Sequence, residues 1–106
     1  MTRKLVLDEG FMDDWYVLHE APYRRINGAD IEGTAEEWNA IADAIESDRD
    51  AGFKRCAVFR LADGSYGVSS PRNSVSHTAI TRTEAIALAA EIRRVVGAAT
   101  KTGGER

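Results

Sequence analysis

Two four-residue segments place the strongest constraint on what this chain can fold into: Thr34-Ala35-Glu36-Glu37 and Thr81-Arg82-Thr83-Glu84. Each is a capping box. The threonine hydroxyl accepts from the backbone N–H three residues on, and the glutamate carboxylate accepts from the threonine's own N–H. Two donors left over at a helix start are thereby satisfied. After the first box, Trp38, Ile41, Ala42 and Ile45 recur at helical spacing; after the second, Ala85, Leu88, Ala89, Ile92 and Val96 do so. Ile80 is placed to staple against Ala85, and Gly52 and Gly97 are the expected stops. Two helix starts are fixed, and the remaining segments are short.

Those segments read as strands. Lys4-Leu5-Val6-Leu7 can form one, and Gly10 breaks it. The aromatic and β-branched content of residues 13–20 favours a second, with a helical turn as the alternative. Pro22 stops that segment, and Asn27-Gly28 offers a two-residue turn between Ile26 and Ile31. Residues 53–70 form a hairpin around Asp63-Gly64, with Ala57, Phe59 and Leu61 on one face and Val58 and Arg60 on the other. Ser74–Ile80 adds a third strand. The expected fold is α+β: an antiparallel sheet of about four to six short strands, with two helices packed on one face as a two-layer sandwich. Residues 1–97 make the single domain, and residues 98–106 make a frayed tail.

Composition rules out several classes. Of 106 residues, 43% are apolar and 29% charged, ordinary for a soluble globular protein. The longest apolar run falls far short of the ~20 residues of a membrane span. Leu5-Val6-Leu7 is too short for a signal-peptide core, so a cytoplasmic location is expected. The single cysteine, Cys56, excludes an intramolecular disulfide and a multi-cysteine zinc site. It sits in an apolar run and reads as a small buried hydrophobe. There is no glycine-rich phosphate loop and no nucleophile elbow. Asp48-Arg49-Asp50-Ala51-Gly52 imitates the start of a calcium loop, but its glycine falls one position early and no glutamate closes it. His19 and His77 are isolated. No cofactor, metal or catalytic residue is expected. Asp13 and Asp14, ahead of Trp15, and His77 are the positions a small enzyme would use, since a neighbouring ring could raise a carboxyl pKa.

Charge is divided along the chain. Residues 1–50 hold thirteen acidic against five basic residues, a net −8; residues 51–106 hold four against nine, a net +5. Such asymmetry bears on partners. Glu46, Asp48 and Asp50 lie at the wrong end of the first helix for its dipole, each unfavourable by about 0.3–1 kcal/mol. Glu36, Asp43, Glu46 and Asp50 fall at spacings that give an acidic face opposite Trp38, Ile41 and Ile45. The leading expectation is a non-catalytic binding or inhibitor protein whose acidic face docks on a protein or nucleoprotein partner with a basic surface. In size and charge the chain is similar to phage-encoded inhibitors of host defence, anti-CRISPR proteins included.

The alternative rests on the basic half. Strands around a turn, followed by Thr81-Arg82-Thr83-Glu84-Ala85 and a helix, resemble the three-strand-plus-helix modules at the N-termini of phage integrases. That resemblance implies a sheet laid in the DNA major groove, with Lys54, Arg55, Arg60, Arg72 and Arg82 as its phosphate-contacting stripe. The acidic remainder would repel the same phosphates, so direct nucleic-acid binding is not the leading expectation. Arg93 and Arg94 have a simpler role beside the C-terminal end of the second helix, where cations complement the dipole.

Overall fold

The computed structural model describes residues 4–10, 13–20, 24–25, 31–53, 55–70 and 77–104. The order of elements is β1 (Leu5–Glu9), β2 (Trp15–Glu20), β3 (Arg24–Arg25), β4 (Ile31–Thr34), α1 (Ala35–Glu46), β5 (Ala51–Gly52), β6 (Ala57–Arg60), β7 (Tyr66–Ser69), β8 (His77–Ile80) and α2 (Arg82–Gly104). The fold is α+β, with helices packed on antiparallel strands. The strands fall into two sheets. In the first, β1 pairs with one edge of β2, while β3 and β4 share the other edge in succession. The second is β5-β6-β7-β8, with β6, β7 and β8 joined as a meander. The Asn27-Gly28 turn falls outside the described residues.

Alternation decides which side of each sheet is buried. Leu5, Leu7, Leu18, Tyr16 and Ile31 share one face of the first sheet, and all are buried. Val58, Val68, Tyr66 and Ile80 do the same in the second. Both faces meet the helices in one core with Trp38 and Ile41 of α1 and Leu88 and Ile92 of α2, each fully buried. Helix α1 packs against β2, β4, β5 and β6, and so bridges the sheets; α2 packs against α1 and β1. The indole Nε1 of Trp38 donates to the Tyr16 carbonyl at 3.1 Å, tying helix to sheet through a buried hydrogen bond.

Both capping boxes form. Thr34 and Glu37 exchange their reciprocal bonds at 3.2 and 2.9 Å, and Thr81 and Glu84 theirs at 3.0 and 2.8 Å. The helix ends differ from expectation. Helix α1 stops at Glu46, well before Gly52, because Asp48 adopts φ 57°. Its N–H donates to the Ile45 carbonyl and that of Arg49 to the Ala44 carbonyl, the two bonds of a Schellman ending. Gly52 instead pairs with Ala57 in β5, a strand too short to show any alternation. At the other end the backbone stays helical through Gly97 to Gly104. A glycine inside a helix costs only about 1 kcal/mol relative to alanine, and alanines follow it.

The hairpin turn works as its residues suggest. Gly64 N–H donates to the Leu61 carbonyl, Leu61 N–H to that of Ser65, and Gly64 takes φ 90°, a type I turn closed by a left-handed glycine. Asp63 accepts from Ser65 N–H at 3.0 Å, which braces the turn.

Candidate functional site

Helix α1 brings two of its carboxylates, Asp43 and Glu46, to Arg93 of α2. The Arg93 guanidinium donates to Asn39 Oδ1 at 3.1 Å, to Glu46 at 2.9 and 3.3 Å, and to Asp43. One cation therefore serves two carboxylates across the helix–helix seam. The hydrogen bond from Arg93 holds the Glu46 carboxyl below its ordinary pKa, and the two carboxylates push that of Arg93 upward. Asp43 and Glu46 remain 57% and 50% exposed all the same. Glu36 is exposed two turns earlier on the same stripe.

The end of α1 forms a second cluster. Asp48 accepts from the buried Tyr66 hydroxyl at 2.5 Å and lies 3.5 Å from Arg82. The tyrosine hydrogen bond, with Arg82 and Arg60 beyond it, lowers the Asp48 pKa. Burial and Asp48 raise that of Tyr66. Asp50 accepts from the Arg60 backbone N–H at 2.8 Å and lies 3.6 Å from its side-chain Nε. Asp48, Asp50, Arg60 and Arg82, with Gly64 of the hairpin turn, line a cleft of about 420 Å³. Its wall alternates in sign: two carboxylates face two guanidinium groups.

The residues singled out from sequence thus come together differently from either reading. Glu36, Asp43 and Glu46 are exposed along α1, on the side away from the buried Trp38, Ile41 and Ile45, and the latter two carboxylates also reach Arg93 of α2. Asp50 joins Arg60 and Arg82, so members of the acidic and basic sets pair with each other. Arg55 lies apart from Arg60, its guanidinium 4.8 Å from the ring centre of Trp15 in the first sheet. Lys54 and Arg72 fall outside the described residues. The basic residues accordingly do not make one stripe among the described residues. Sequence position alone suggests only a dipole role for Arg93; the excess of acid in one half and base in the other is the signal that points to its partners.

The other chemical candidates disperse. Asp13 and Asp14 are exposed in the β1–β2 turn instead of sunk against Trp15, with Asp14 at φ 61°. His19 Nε2 lies 2.8 Å from Asp8 Oδ2 on the outer face of the first sheet. His77 is in β8, opposite Ser69. Cys56 is fully buried, and burial with the nearby Glu37 carboxylate pushes its thiol up to about 12, against a smaller opposing effect of Arg55. Among the described residues, no three of His, Cys, Asp and Glu gather as a metal-holding group. No helix among them is long and apolar enough to cross a membrane. No protein family, curated protein or solved structure matches the chain.

Proposed function

We propose that this is a non-catalytic cytoplasmic binding protein that docks on a larger protein or nucleoprotein partner through the acidic flank of α1. The observation that carries the reading is the unequal stoichiometry at Arg93. Two half-exposed carboxylates, Asp43 and Glu46, share a single guanidinium, and Glu36 extends the same stripe. The seam keeps a net negative charge, and Arg93 restrains the side chains that bear it. Charges held in place before contact lose less conformational freedom on binding, and complementary charge speeds the encounter. A basic surface is the matching partner. The similarity in size and charge to phage-encoded inhibitors fits this mode of action.

The integrase-like reading draws support from one feature, the β6-β7-β8 meander followed directly by α2. Against it, Arg60 and Arg82 already have Asp50 and Asp48 beside them, so a phosphate would have to displace a carboxylate from each. One experiment separates the two: binding of the intact protein to random duplex DNA by fluorescence anisotropy across a salt titration. The docking reading expects no appreciable binding at physiological salt. Micromolar affinity that weakens steeply with salt, and vanishes when Arg55 and Arg60 are both changed to alanine, would replace it with the DNA-binding reading.

A further inference from the structure

The cleft at the end of α1 has more hydrogen-bonding capacity than its own groups use. Asp48 accepts the Tyr66 hydroxyl through Oδ1, and Asp50 accepts the Arg60 N–H through Oδ1. The second oxygen of each carboxylate has no hydrogen-bond partner among the described residues. The guanidinium groups stand off from these carboxylates. Arg82 Nη1 lies 3.5 Å from Asp48 and Arg60 Nε 3.6 Å from Asp50, beyond the about 2.7–3.2 Å of an N–H···O hydrogen bond. The charges balance, but the bonds between them are not closed. All four side chains are between 55% and 61% exposed, so their remaining donors and acceptors face solvent.

The carboxylates are also fixed from behind. Asp48 is held by the left-handed ending of α1 and by the buried Tyr66, and Asp50 by the backbone of β6. Groups held in place before contact lose less freedom on binding. The helix ends reinforce both signs. Asp48 follows the C-terminus of α1, where the dipole favours a cation, and Arg82 is the first residue of α2, where it favours an anion. The uncharged Leu61 and Ala62 of the hairpin turn complete the wall. A purely anionic ligand would bring its charge against Asp48 and Asp50, and a purely cationic one against Arg60 and Arg82. A ligand that carries both charges a few bonds apart meets neither penalty.

We infer that this cleft binds a small zwitterion, of which a free α-amino acid is the simplest kind. The ligand's carboxylate accepts from the guanidinium N–H groups of Arg60 and Arg82 that the aspartates leave unused. Its ammonium donates to the open oxygens of Asp48 and Asp50. Exposed ion pairs contribute little each, so a Kd in the millimolar range is expected. The inference does not rest on docking through the α1 flank, which uses Glu36, Asp43 and Glu46.

Titration of the intact, isotope-labelled protein with glycine at neutral pH, followed by heteronuclear NMR, tests it. Saturable shifts of the Arg60, Gly64 and Arg82 amides are expected. N-acetylglycine keeps the carboxylate without the ammonium, and glycinamide keeps the ammonium without the carboxylate. Each should bind at least about tenfold more weakly than glycine. Arg82→Gln and Asp50→Asn should each raise the Kd for glycine about threefold or more. Asp50→Asn keeps an acceptor for the Arg60 N–H, and if one variant fails to fold the other gives the comparison. Shifts that do not saturate by about 100 mM glycine overturn the inference. So does N-acetylglycine or glycinamide binding as tightly as glycine, or a Kd that moves less than about twofold in the folded variants.

Discussion

Replacing Trp38 with alanine should remove a large part of the stability of this fold. The side chain is fully buried at the junction of α1 and the first sheet. Truncating a buried large aromatic typically costs about 3–5 kcal/mol, through lost transfer energy and the cavity left behind. Within that total, the indole bond to the Tyr16 carbonyl contributes about 1 kcal/mol. Trp38→Phe separates the two parts, since it keeps most of the volume and removes the donor; its loss should be about 1–2 kcal/mol. A chain of 106 residues has roughly 5–15 kcal/mol in all, so the alanine variant sits near the edge of folding. Urea melts followed by tryptophan fluorescence and circular dichroism give the comparison, read as a shift of midpoint at unchanged slope. A loss under about 1 kcal/mol for Trp38→Ala would refute the packing argument, because no well-filled site could tolerate that truncation so cheaply.

Other perturbations test separate parts of the structure. A Cβ on Gly33 would sit 2.8 Å from Cys56 Sγ and 2.9 Å from Glu37 Oε1; Gly33→Ala should therefore cost about 1–3 kcal/mol, and less in a Cys56→Ala background, as a double-mutant cycle of melts would reveal. Cys56 should resist thiol reagents at mildly alkaline pH until the protein unfolds, so its labelling rate should rise with urea along the unfolding curve; rapid labelling of the native protein would place the thiol at the surface. The lowered carboxyl pKa values of Glu46 and Asp48 mean that the stability they contribute is complete above their ordinary values, 4.5 and 3.8, and is lost as pH falls through the lower folded values. Arg93→Met should remove the Glu46 part of that acid dependence, leaving the Asp48 part in place, and, because the network is largely exposed, cost only on the order of 1 kcal/mol, less in high salt; an unchanged acid titration would show that the seam carries no electrostatic coupling.

Local chemistry was readable in the sequence, and long-range chemistry was not. The capping boxes involve a side chain and a backbone group three residues apart, so Thr34, Glu37, Thr81 and Glu84 announced both helices. The hairpin at Asp63-Gly64 is equally local. The end of α1 was misplaced because glycine is the usual signal for a left-handed ending, and here Asp48 takes that conformation, with its carboxylate on the Tyr66 hydroxyl and near Arg82. Neither partner is close in sequence. The division into two sheets depends on what α1 covers, and Ala51–Gly52 offers no periodicity to read. Most instructive is the charge asymmetry. By itself such asymmetry points to partners, yet much of it is resolved within the fold, as Arg93 meets Asp43 and Glu46 while Arg60 and Arg82 approach Asp50 and Asp48. A surplus of carboxylate is left on the α1 flank, where docking is proposed.

That revision also changes which variant tests docking. Reversing Asp43 and Glu46 to lysine would set three cations at the seam with Arg93 and disturb the helix packing itself. Neutral amides at both positions keep an acceptor for the guanidinium, and Glu36→Lys alters only an exposed position. The most direct measurement starts from a partner captured on the immobilised protein and compares association rates for the wild type and for Glu36→Lys/Asp43→Asn/Glu46→Gln, at low and at physiological salt. Docking through the α1 flank predicts that the wild type associates faster at low salt, that the variant associates about tenfold more slowly there, and that the gap narrows as salt rises. Equal rates for the two proteins, with no salt dependence in the wild type, would contradict it.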